Sequence, residues 1–324
     1  MTEVLSGLGT DERTRVAALR AQGSFFWLDV SFDETSRDEL AEALALSADT
    51  LRALPELGDK NASRTFDSDG ASVAFTLRCY VDTEAAAGEA AYRLRPLEVR
   101  VVVTSDYLLT VHTERLSLPA LLGPDVLRER SRLYVLYAVL DAMLESTFDA
   151  LGEVERRLEG LAATWAGGTG AGVPRTALRA AGARLANMRR WVTAEQALIE
   201  RSVVEIAALR GFGGDDEPYF PRLEAKIDRL AASIDAAADA LGMLLDLQLN
   251  ERAYVVSVVA TIFVPLTFVT GFFGMNFGWM LDRIDSPVAF WVLGMAIPIA
   301  TAALSWRFLL RRFLVADDQN AGSR

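Results

Sequence analysis

Two long runs of residues without charge lie near the C-terminal end of the chain. The first extends from Ala253 to Phe273 and the second from Ser286 to Trp306, and each has 21 residues. At about 1.5 Å of rise per residue, a helix formed by either run spans roughly 30 Å, the thickness of the hydrocarbon layer of a bilayer. Core helices of soluble proteins are seldom this long and this apolar. The pattern therefore predicts two membrane-spanning helices.

A helical repeat of apolar residues fills the part of the chain before these runs. Leucine, valine and phenylalanine recur at steps of three and four from Leu133 to Leu161, which predicts a long amphipathic helix. A second such helix is expected over Arg175–Leu209. A third begins near Tyr219, and no strong breaker separates it from the first uncharged run. If it is continuous over Tyr219–Phe273, it is about 80 Å long, of which only about 30 Å fits in lipid.

The N-terminal third of the chain alternates between strand-like and helical segments. The strand-like segments are rich in β-branched and aromatic residues, and the helical ones begin with capping residues. This part is therefore expected to form α/β layers, which with the long helices makes the soluble region α+β. The expected strands are 24–30, 71–81, 97–103 and 107–112, and the expected helices are 35–46 and 49–57.

The composition separates an acidic region from the apolar runs. Hydrophobic residues make up 51% of the chain, and the formal net charge is −11. The net negative charge lies entirely before residue 251, because the later residues carry one more basic than acidic side chain. This acidic region argues against a nucleic-acid partner and favours a raised local concentration of cations. The single Cys79 excludes an internal disulfide, as expected in the cytosol. The N-terminus lacks the pattern of a signal peptide.

Basic residues predict the orientation in the membrane. Arg307, Arg311 and Arg312 follow the second run directly, whereas the loop between the runs has only Arg283. Because basic residues flank membrane spans on the cytoplasmic side, both termini are expected inside and the loop outside.

One face of the first run carries small and polar residues, which we call the polar stripe. Unpaired polar groups in hydrocarbon cost several kcal/mol each, so this face must meet protein or water. Two explanations remain open, namely close helix packing through small residues and a water-filled pore made by several copies. The opposite, bulky face is expected to meet lipid, and it consists of Val255, Val259, Ile262, Leu266, Val269 and Phe273. The polar stripe consists of Asn250, Ala253, Ser257, Ala260, Val264, Thr267 and Gly271.

The first run ends in the segment GFFGMNFG (271–278), which combines glycines with an amide. Glycine permits positive φ, so backbone carbonyls can turn away from the helix. With the amide oxygen of Asn276, symmetric copies would form a ring of neutral oxygens, which can hold hydrated Mg²⁺ without trapping it. Zn²⁺ prefers histidine and cysteine, but His112 and Cys79 both lie in strand patterns.

At these residues the sequence resembles the CorA family of divalent-cation transporters, which includes the ZntB-type zinc transporters. The stretch ATIFVPLTFVTGFFGMNF (260–277) carries the resemblance, above all Gly274-Met275-Asn276 after PLTF at the end of the first of two C-terminal spans. The stretches RLYVLYAVLDAMLESTF (132–148) and EPYFPRLE (217–224) agree with it. The resemblance covers about residues 20–315.

The resemblance implies a funnel-shaped homopentamer in the inner membrane, in which the first span lines the pore and the second faces lipid. Gly274, Met275 and Asn276 correspond to the outer selectivity loop, with Gly274 and Asn276 contacting the hydrated ion transiently. Thr267 and Asn250 correspond to polar rings in the pore. The implied regions are an α/β domain (1–130), a helical funnel (131–250), a pore-lining span (251–273), an external loop (274–286), a second span (287–310) and a tail (311–324).

The resemblance leaves the cargo and the mode of transport open. Mg²⁺, with Co²⁺ or Ni²⁺, is the first expectation, and the ion is cargo and regulator rather than a permanently bound cofactor. ZntB-like Zn²⁺ transport is the alternative, because the TG before FFGMN and the stretch NMRRW (187–191) are similar to that branch. Conduction is either channel-like or proton-coupled. The alternative of another class is a non-conducting membrane-tethered scaffold or metal sensor. Because the sequence shows no catalytic triad, phosphate loop or hydrolase metal cluster, no enzyme activity is expected.

Acidic residues near the two ends of the first run are candidates to attract cations. Asp239 and Asp246 lie seven residues apart on the face of the polar stripe, and Asp282 lies in the connecting loop. Acids on a solvated helix face are equally ordinary, so both explanations stay open. Elsewhere, the aspartates of DSDG (67–70) are expected in a hairpin turn and His112 in a strand.

Overall fold

The structure is a computed structural model, and it describes residues 2–31, 35, 37–44, 46, 66–82, 92–113, 118, 122, 131–166, 174–212, 218–273, 275 and 286–307. The strands in these ranges are β1 (Glu3–Ser6), β2 (Phe26–Ser31), β3 (Asp67–Ser68), β4 (Ser72–Asp82), β5 (Leu94–Thr104) and β6 (Tyr107–His112). The helices are α1 (Thr10–Ala21), α2 (Arg37–Leu44), α3 (Arg132–Ala166), α4 (Arg175–Ala208), α5 (Tyr219–Phe273) and α6 (Pro287–Ala289), which continues into a π-helix (Phe290–Ala296).

The six strands form one mixed sheet in the order β1-β2-β6-β5-β4-β3. β1, β2 and β6 run parallel to one another, with Leu5 beside Leu28 and Leu28 beside Leu109. β6, β5, β4 and β3 are joined by antiparallel pairs. Every residue of β2 and β6 is buried, as is usual for parallel strands that are covered on both faces.

All four strands predicted from the sequence are confirmed, three of them with shifted ends, and the predicted strand 24–30 corresponds to β2. The predicted strand 71–81 corresponds to β4, and the predicted pair 97–103 and 107–112 corresponds to the hairpin of β5 and β6. The predicted turn in DSDG is also confirmed, because Asp69 Oδ1 accepts hydrogen bonds from the N–H groups of Ala71 and Ser72. β1 and α1 were not predicted, and the predicted helix 49–57 lies outside the described residues.

The first two helices cover the parallel half of the sheet. Val16 and Leu19 of α1 and Leu40 and Leu44 of α2 belong to one buried cluster with residues of β1, β2 and β6. Burying such side chains stabilises the fold by about 1.5–3 kcal/mol each. The long helices α3 and α4 pack on the antiparallel half, where both contact β4.

A buried polar cluster joins β2 to β6. Asp29 Oδ1 accepts a hydrogen bond from the Thr110 hydroxyl at 2.6 Å and lies 3.2 Å from His112 Nε2. Asp29 Oδ2 accepts from the Leu118 N–H at 3.0 Å, and Trp27 Nε1 donates to the Thr110 hydroxyl. His112 is thus a buried strand residue, as the sequence predicted. These bonds satisfy a carboxylate that is only 2% exposed.

The three long helices bury the apolar repeats predicted for them. The repeat of α3 is buried from Leu133 to Leu158 except at Phe148, which is half-buried, and that of α4 is buried from Leu178 to Ile206. In α5 the repeat is buried from Leu223 to Leu241, but Leu245 is 43% exposed. The predicted repeat is therefore confirmed in all three helices, and its burial in α5 ends one turn earlier than predicted.

Charged and aromatic residues connect α3 to α5. Lys226 Nζ lies 2.7 Å from both Asp141 Oδ1 and Glu145 Oε2. Burial is the largest single effect on the pKa of Lys226 and lowers it, but the hydrogen bonds and charges of the two carboxylates together outweigh burial and raise the pKa. The ring of Tyr219 lies 5.1 Å from that of Tyr137. These contacts tie the first turns of α5 to α3.

The chain divides into two compact units, residues 1–241 and 242–324. In the second unit the predicted second span is helical over 287–307 of the described residues, but it changes form along its length. The π-helix Phe290–Ala296 precedes Pro298. Proline has no N–H and its ring clashes with the carbonyl of the residue four positions earlier, here Gly294, which accounts for the departure from regular α-helix.

Among the described residues, one helix is long and apolar enough to cross a membrane, and it is α5. None of its most apolar window is buried. The number of spans, the positions of the termini and the predicted domain bounds stay predictions.

The buried cluster around Asp29 yields a stability prediction. Asp29→Ala should lower the free energy of unfolding by about 3 kcal/mol, because it leaves the Thr110 hydroxyl and the Leu118 N–H without their buried acceptor. Such a loss corresponds to a Tm lower by roughly 5–10 °C. Thermal unfolding followed by tryptophan fluorescence measures it. Asp149→Ala, at an exposed position of α3, is the control, and equal shifts in both variants would contradict the assigned role.

Candidate functional site

The polar stripe occupies a single arc of α5. At 100° per residue, its seven members fall within an arc of about 100° around the helix. All seven are exposed in the single chain, and Val264 is 66% exposed. The face predicted from the sequence therefore exists on a continuous helix, and it carries one amide and two hydroxyl side chains.

A different arc of the same helix is half-buried. It does not overlap the polar stripe, since the two arcs are centred roughly 140° apart at 100° per residue. The segment 297–307, in the same compact unit, also has half-buried positions. Within the described part of this unit, nothing covers the stripe. The half-buried positions of α5 are Val258, Thr261, Ile262, Pro265, Leu266 and Val269.

The bulky face, predicted to meet lipid, is divided between two environments. Val255 and Val259 are 56% and 48% exposed, as a lipid-facing surface requires. Ile262, Leu266 and Val269 are half-buried, so this part of the bulky face packs against protein. A long apolar helix with a neighbour in its own chain must use some bulky residues for that contact, which the helical repeat alone could not reveal.

The hydroxyl groups of the apolar run fall into two classes. Thr261 donates to the Ser257 carbonyl at 2.8 Å, and Thr270 donates to the carbonyls of Leu266 and Thr267 at 3.0 and 3.2 Å. These two hydroxyls are satisfied by their own helix and lie off the stripe. The side chains of Ser257 and Thr267, on the stripe, make no hydrogen bond to the described part of the chain. The stripe thus keeps its hydrogen-bonding capacity for water, an ion or another chain.

Pro265 lies inside α5 on the half-buried arc. It has no N–H to donate, so the carbonyl of Thr261, four residues earlier, loses its helical partner. The helix nevertheless continues to Phe273. The Thr261 carbonyl, which cannot receive a hydrogen bond from Pro265, lies at the depth of the stripe residues Ala260 and Val264.

The described part of the GMN motif is limited to its methionine. Met275 is 40% exposed, and its N–H donates to the Phe272 carbonyl at 3.3 Å, which closes the last turn of the helix. Gly274, Asn276 and Asp282 lie outside the described residues, so their predicted roles stay predictions.

The candidate acids on α5 are exposed. Asp246 lies one turn before Asn250 in the second unit, on the arc of the stripe, and Asp239 is exposed in the part of α5 that belongs to the first unit. In the described ranges, no group of three or more histidine, cysteine, aspartate or glutamate side chains is placed to hold a metal ion. If these acids act on cations, they do so by attraction at a distance.

The sequence reading missed an aromatic residue on the arc of the stripe. Phe268 lies 18 residues after Asn250, which is five complete helical turns, so both point in the same direction. It is 72% exposed and its ring stacks on that of Phe272 at 6.4 Å. The signal was present in the sequence, because Phe268 lies four residues after Val264 and three residues before Gly271, and both of these are on the stripe. A large ring therefore borders the stripe at the level of Thr267.

Comparisons with known proteins agree with this architecture. The family model described as CorA-like Mg²⁺ transporter protein matches residues 22–312, which is most of the chain. The complete CorA magnesium transporter from Methanocaldococcus jannaschii is similar in structure, with a TM-score of 0.57, 18% sequence identity, and coverage of 88% of this chain and 90% of that one. At this identity the likeness shows the fold.

Curated relatives carry two kinds of name. The zinc transport protein ZntB of Pectobacterium carotovorum subsp. carotovorum (strain PC1) is 26% identical over 140 residues, covering 41% of this chain and 42% of the relative. The cobalt/magnesium transport protein CorA of Thermotoga maritima is 34% identical over 88 residues, covering 24% and 25%. The chain thus matches less than half the length of these relatives. The long match to the family model decides the assignment: this chain belongs to the family of CorA-like Mg²⁺ transporter proteins.

Proposed function

We propose that several copies of this chain, five by the family resemblance, place their polar stripes around a common axis and form a pore for divalent cations in the inner membrane. The observation that carries the proposal is the geometry of α5. Its stripe is exposed, lies on a different arc from the residues that pack within the chain, and keeps the side chains of Ser257 and Thr267 free of bonds to the described residues.

The physical argument begins with the cost of unsatisfied polar groups. An amide or hydroxyl in hydrocarbon without a partner loses several kcal/mol, so the stripe cannot face lipid tails. One chain cannot surround it with water. Symmetric copies whose stripes face inward enclose a water-filled axis. The same arrangement leaves exposed bulky residues such as Val255 and Val259 in contact with lipid.

The stripe suits a hydrated cation. Its members are small or neutral, so no carboxylate within it binds the ion tightly enough to slow release. A ring of Asn276 amides and Gly274 carbonyls at the outer end would select ions by their hydration shells. Asp239 and Asp246 at the inner end and Asp282 at the outer end would raise the local cation concentration.

Mg²⁺, with Co²⁺ or Ni²⁺, is the proposed cargo, because neutral oxygens suit a hard ion that keeps its water. Zn²⁺ is the second candidate, supported by the resemblance of 187–191 to the ZntB branch and by the names of several relatives. In the orientation proposed here, two spans place both termini in the cytoplasm. The work of such a protein is transport rather than catalysis.

A non-conducting membrane-tethered scaffold or metal sensor is the candidate from another class. Packing of the small stripe residues against a dry neighbouring helix would favour it. A tether, however, has no need for Asn250, Ser257 and Thr267 on one arc. Transport measurements separate the two functions.

A matched pair of threonines tests the stripe itself. Thr267→Val should lower Mg²⁺ uptake into proteoliposomes by at least about fivefold, because a methyl in place of the hydroxyl removes water from the narrow axis. Thr270→Val, three residues further along at nearly the same depth, should leave uptake unchanged, because its hydroxyl is bonded to its own helix off the stripe. A Mg²⁺-sensitive dye inside the vesicles measures the flux. Equal effects of the two substitutions would argue against the stripe as a conduit.

The amide of the GMN motif tests selectivity. Asn276→Ala should abolish Mg²⁺ uptake or allow Na⁺ to pass with it, because the ring of amide oxygens is lost while the stripe remains. If vesicles with the unmodified protein take up no more Mg²⁺ than protein-free vesicles, the non-conducting scaffold would be favoured instead. Equal ion selectivity in the unmodified protein and in Asn276→Ala would show that Asn276 does not contribute to selectivity.

The same vesicles decide the cargo and the mode of transport. Channel-like Mg²⁺ transport predicts uptake that follows the membrane potential and does not respond to an imposed pH gradient. Zn²⁺ uptake that accelerates with the pH gradient, together with absent Mg²⁺ uptake, would instead support proton-coupled Zn²⁺ transport. The control is a vesicle with the same gradient and no protein.

A further inference from the structure

The outer edge of β4 is closed by side chains instead of a strand. β3 has two residues and pairs with β4 only at Val73 and Ala74, so in the described part of the chain no strand follows the edge beyond Ala74. The N–H of Arg78 donates to Glu195 Oε1 of α4 at 2.9 Å. The N–H of Tyr80 donates to the Ser146 hydroxyl of α3 at 2.8 Å. The two long helices therefore supply the hydrogen-bond acceptors that a neighbouring strand would have supplied.

Glu195 is an unusual residue for this task. It lies in the buried face of α4 between Val192 and Ile199, and it is only 3% exposed. A neutral acceptor such as the Ser146 hydroxyl closes the next site along the same edge. An ionised carboxylate in this position loses its hydration and receives a single hydrogen bond among those formed by the described residues.

The neighbouring charges do not remove this cost. The Arg78 guanidinium attracts the Glu195 carboxylate, but it lies 2.5 Å from Glu98 Oε1 of β5 and 4.8 Å from the ring centre of Trp191. Burial raises the pKa of Glu195 to about 7, with the Arg78 N–H and guanidinium opposing the shift and Glu98 adding to it.

Tyr80 and Arg184 complete the polar surroundings. Burial is the main cause that raises the pKa of the Tyr80 phenol, with Arg184 opposing and Glu195 adding, so Tyr80 stays neutral at physiological pH. The Arg184 guanidinium lies 5.1 Å from the Tyr80 ring centre and donates to the Leu94 carbonyl. From α3, the side chain bonded to this strand edge is Ser146, which does not titrate.

We propose that Glu195 is a proton-controlled contact, in which its neutral form holds α4 against the outer edge of β4 and its ionisation weakens that attachment near neutral pH. The inference concerns the soluble unit and does not depend on the proposed transport function. It assigns a pH-sensitive element to a carboxyl group far in sequence from the membrane-spanning segments.

The direction of the effect follows from the two protonation states. The exposed carboxyl has an ordinary pKa of 4.5, and in the folded chain it is raised to about 7. A group with a raised pKa contributes its full stabilisation below pH 4.5 and loses it as the pH rises to about 7. The attachment of α4 to β4 should therefore be stronger in acid than in mild alkali, and should change little above about pH 8.

Hydrogen exchange of the full-length protein in detergent tests the proposal. The exchange rate of β4 amides in the unmodified protein is divided by the rate in Glu195→Gln at the same pH, so the chemical dependence of exchange on pH cancels. Glutamine keeps an acceptor for the Arg78 N–H but cannot ionise. The ratio should increase roughly 10- to 30-fold between about pH 5.5 and about pH 8.5.

Two further variants keep the test decisive. Glu195→Leu matches the apolar face of α4 and should also remove the pH dependence, even if the glutamine variant folds poorly. Glu153→Gln is the matched control, because Glu153 also accepts from backbone N–H groups, those of Arg93 and Leu94, at 2.7 and 3.2 Å. It should leave the pH dependence of β4 intact. A ratio that is constant with pH, or greater protection of β4 in alkali, would overturn the proposal.

Discussion

A polar group that folding removes from water needs a hydrogen-bond partner, and a polar group without a partner must stay in contact with water. This constraint governs each part of the molecule. In the sheet, the Asp29 carboxylate is satisfied by the Thr110 hydroxyl and the Leu118 N–H. At the sheet edge, Glu195 is buried and receives one hydrogen bond from a backbone N–H, and its burial raises its pKa to about 7. On α5, the side chains of Ser257 and Thr267 have no hydrogen-bond partner in the described chain. Their partners must therefore be water or another copy of the chain.

Much of the fold follows from local sequence patterns, and the misses have physical causes. The long helices were predictable because each of their apolar repeats runs for more than 20 residues. β1 has four residues and α1 buries only Val16 and Leu19, so neither carries a strong repeat. Both form because β2 and α2 offer apolar surface from distant parts of the chain, which a local pattern cannot register.

The candidate site was predictable in part. The stripe could be found because helical geometry alone decides which residues share an arc. The division of the bulky face could not, since it depends on which residues of α5 the folded chain half-buries, and the helical repeat does not show this. Glu195 illustrates the same limit. It is one of three glutamates in α4, and its place in the apolar repeat between Val192 and Ile199 indicates burial. Its hydrogen bond to the edge of β4 depends on the tertiary structure, which the sequence does not show.

The two helices that cover the edge of β4 also protect the protein against aggregation with other copies of the chain. A strand edge with free N–H and C=O groups is a template to which the strand of another molecule can add. Glu195 and Ser146 occupy that template in the folded chain. A truncated or partly synthesised chain that lacks α4 exposes the Arg78 end of an 11-residue apolar strand, and is therefore primed for sheet-to-sheet aggregation before its last helices emerge.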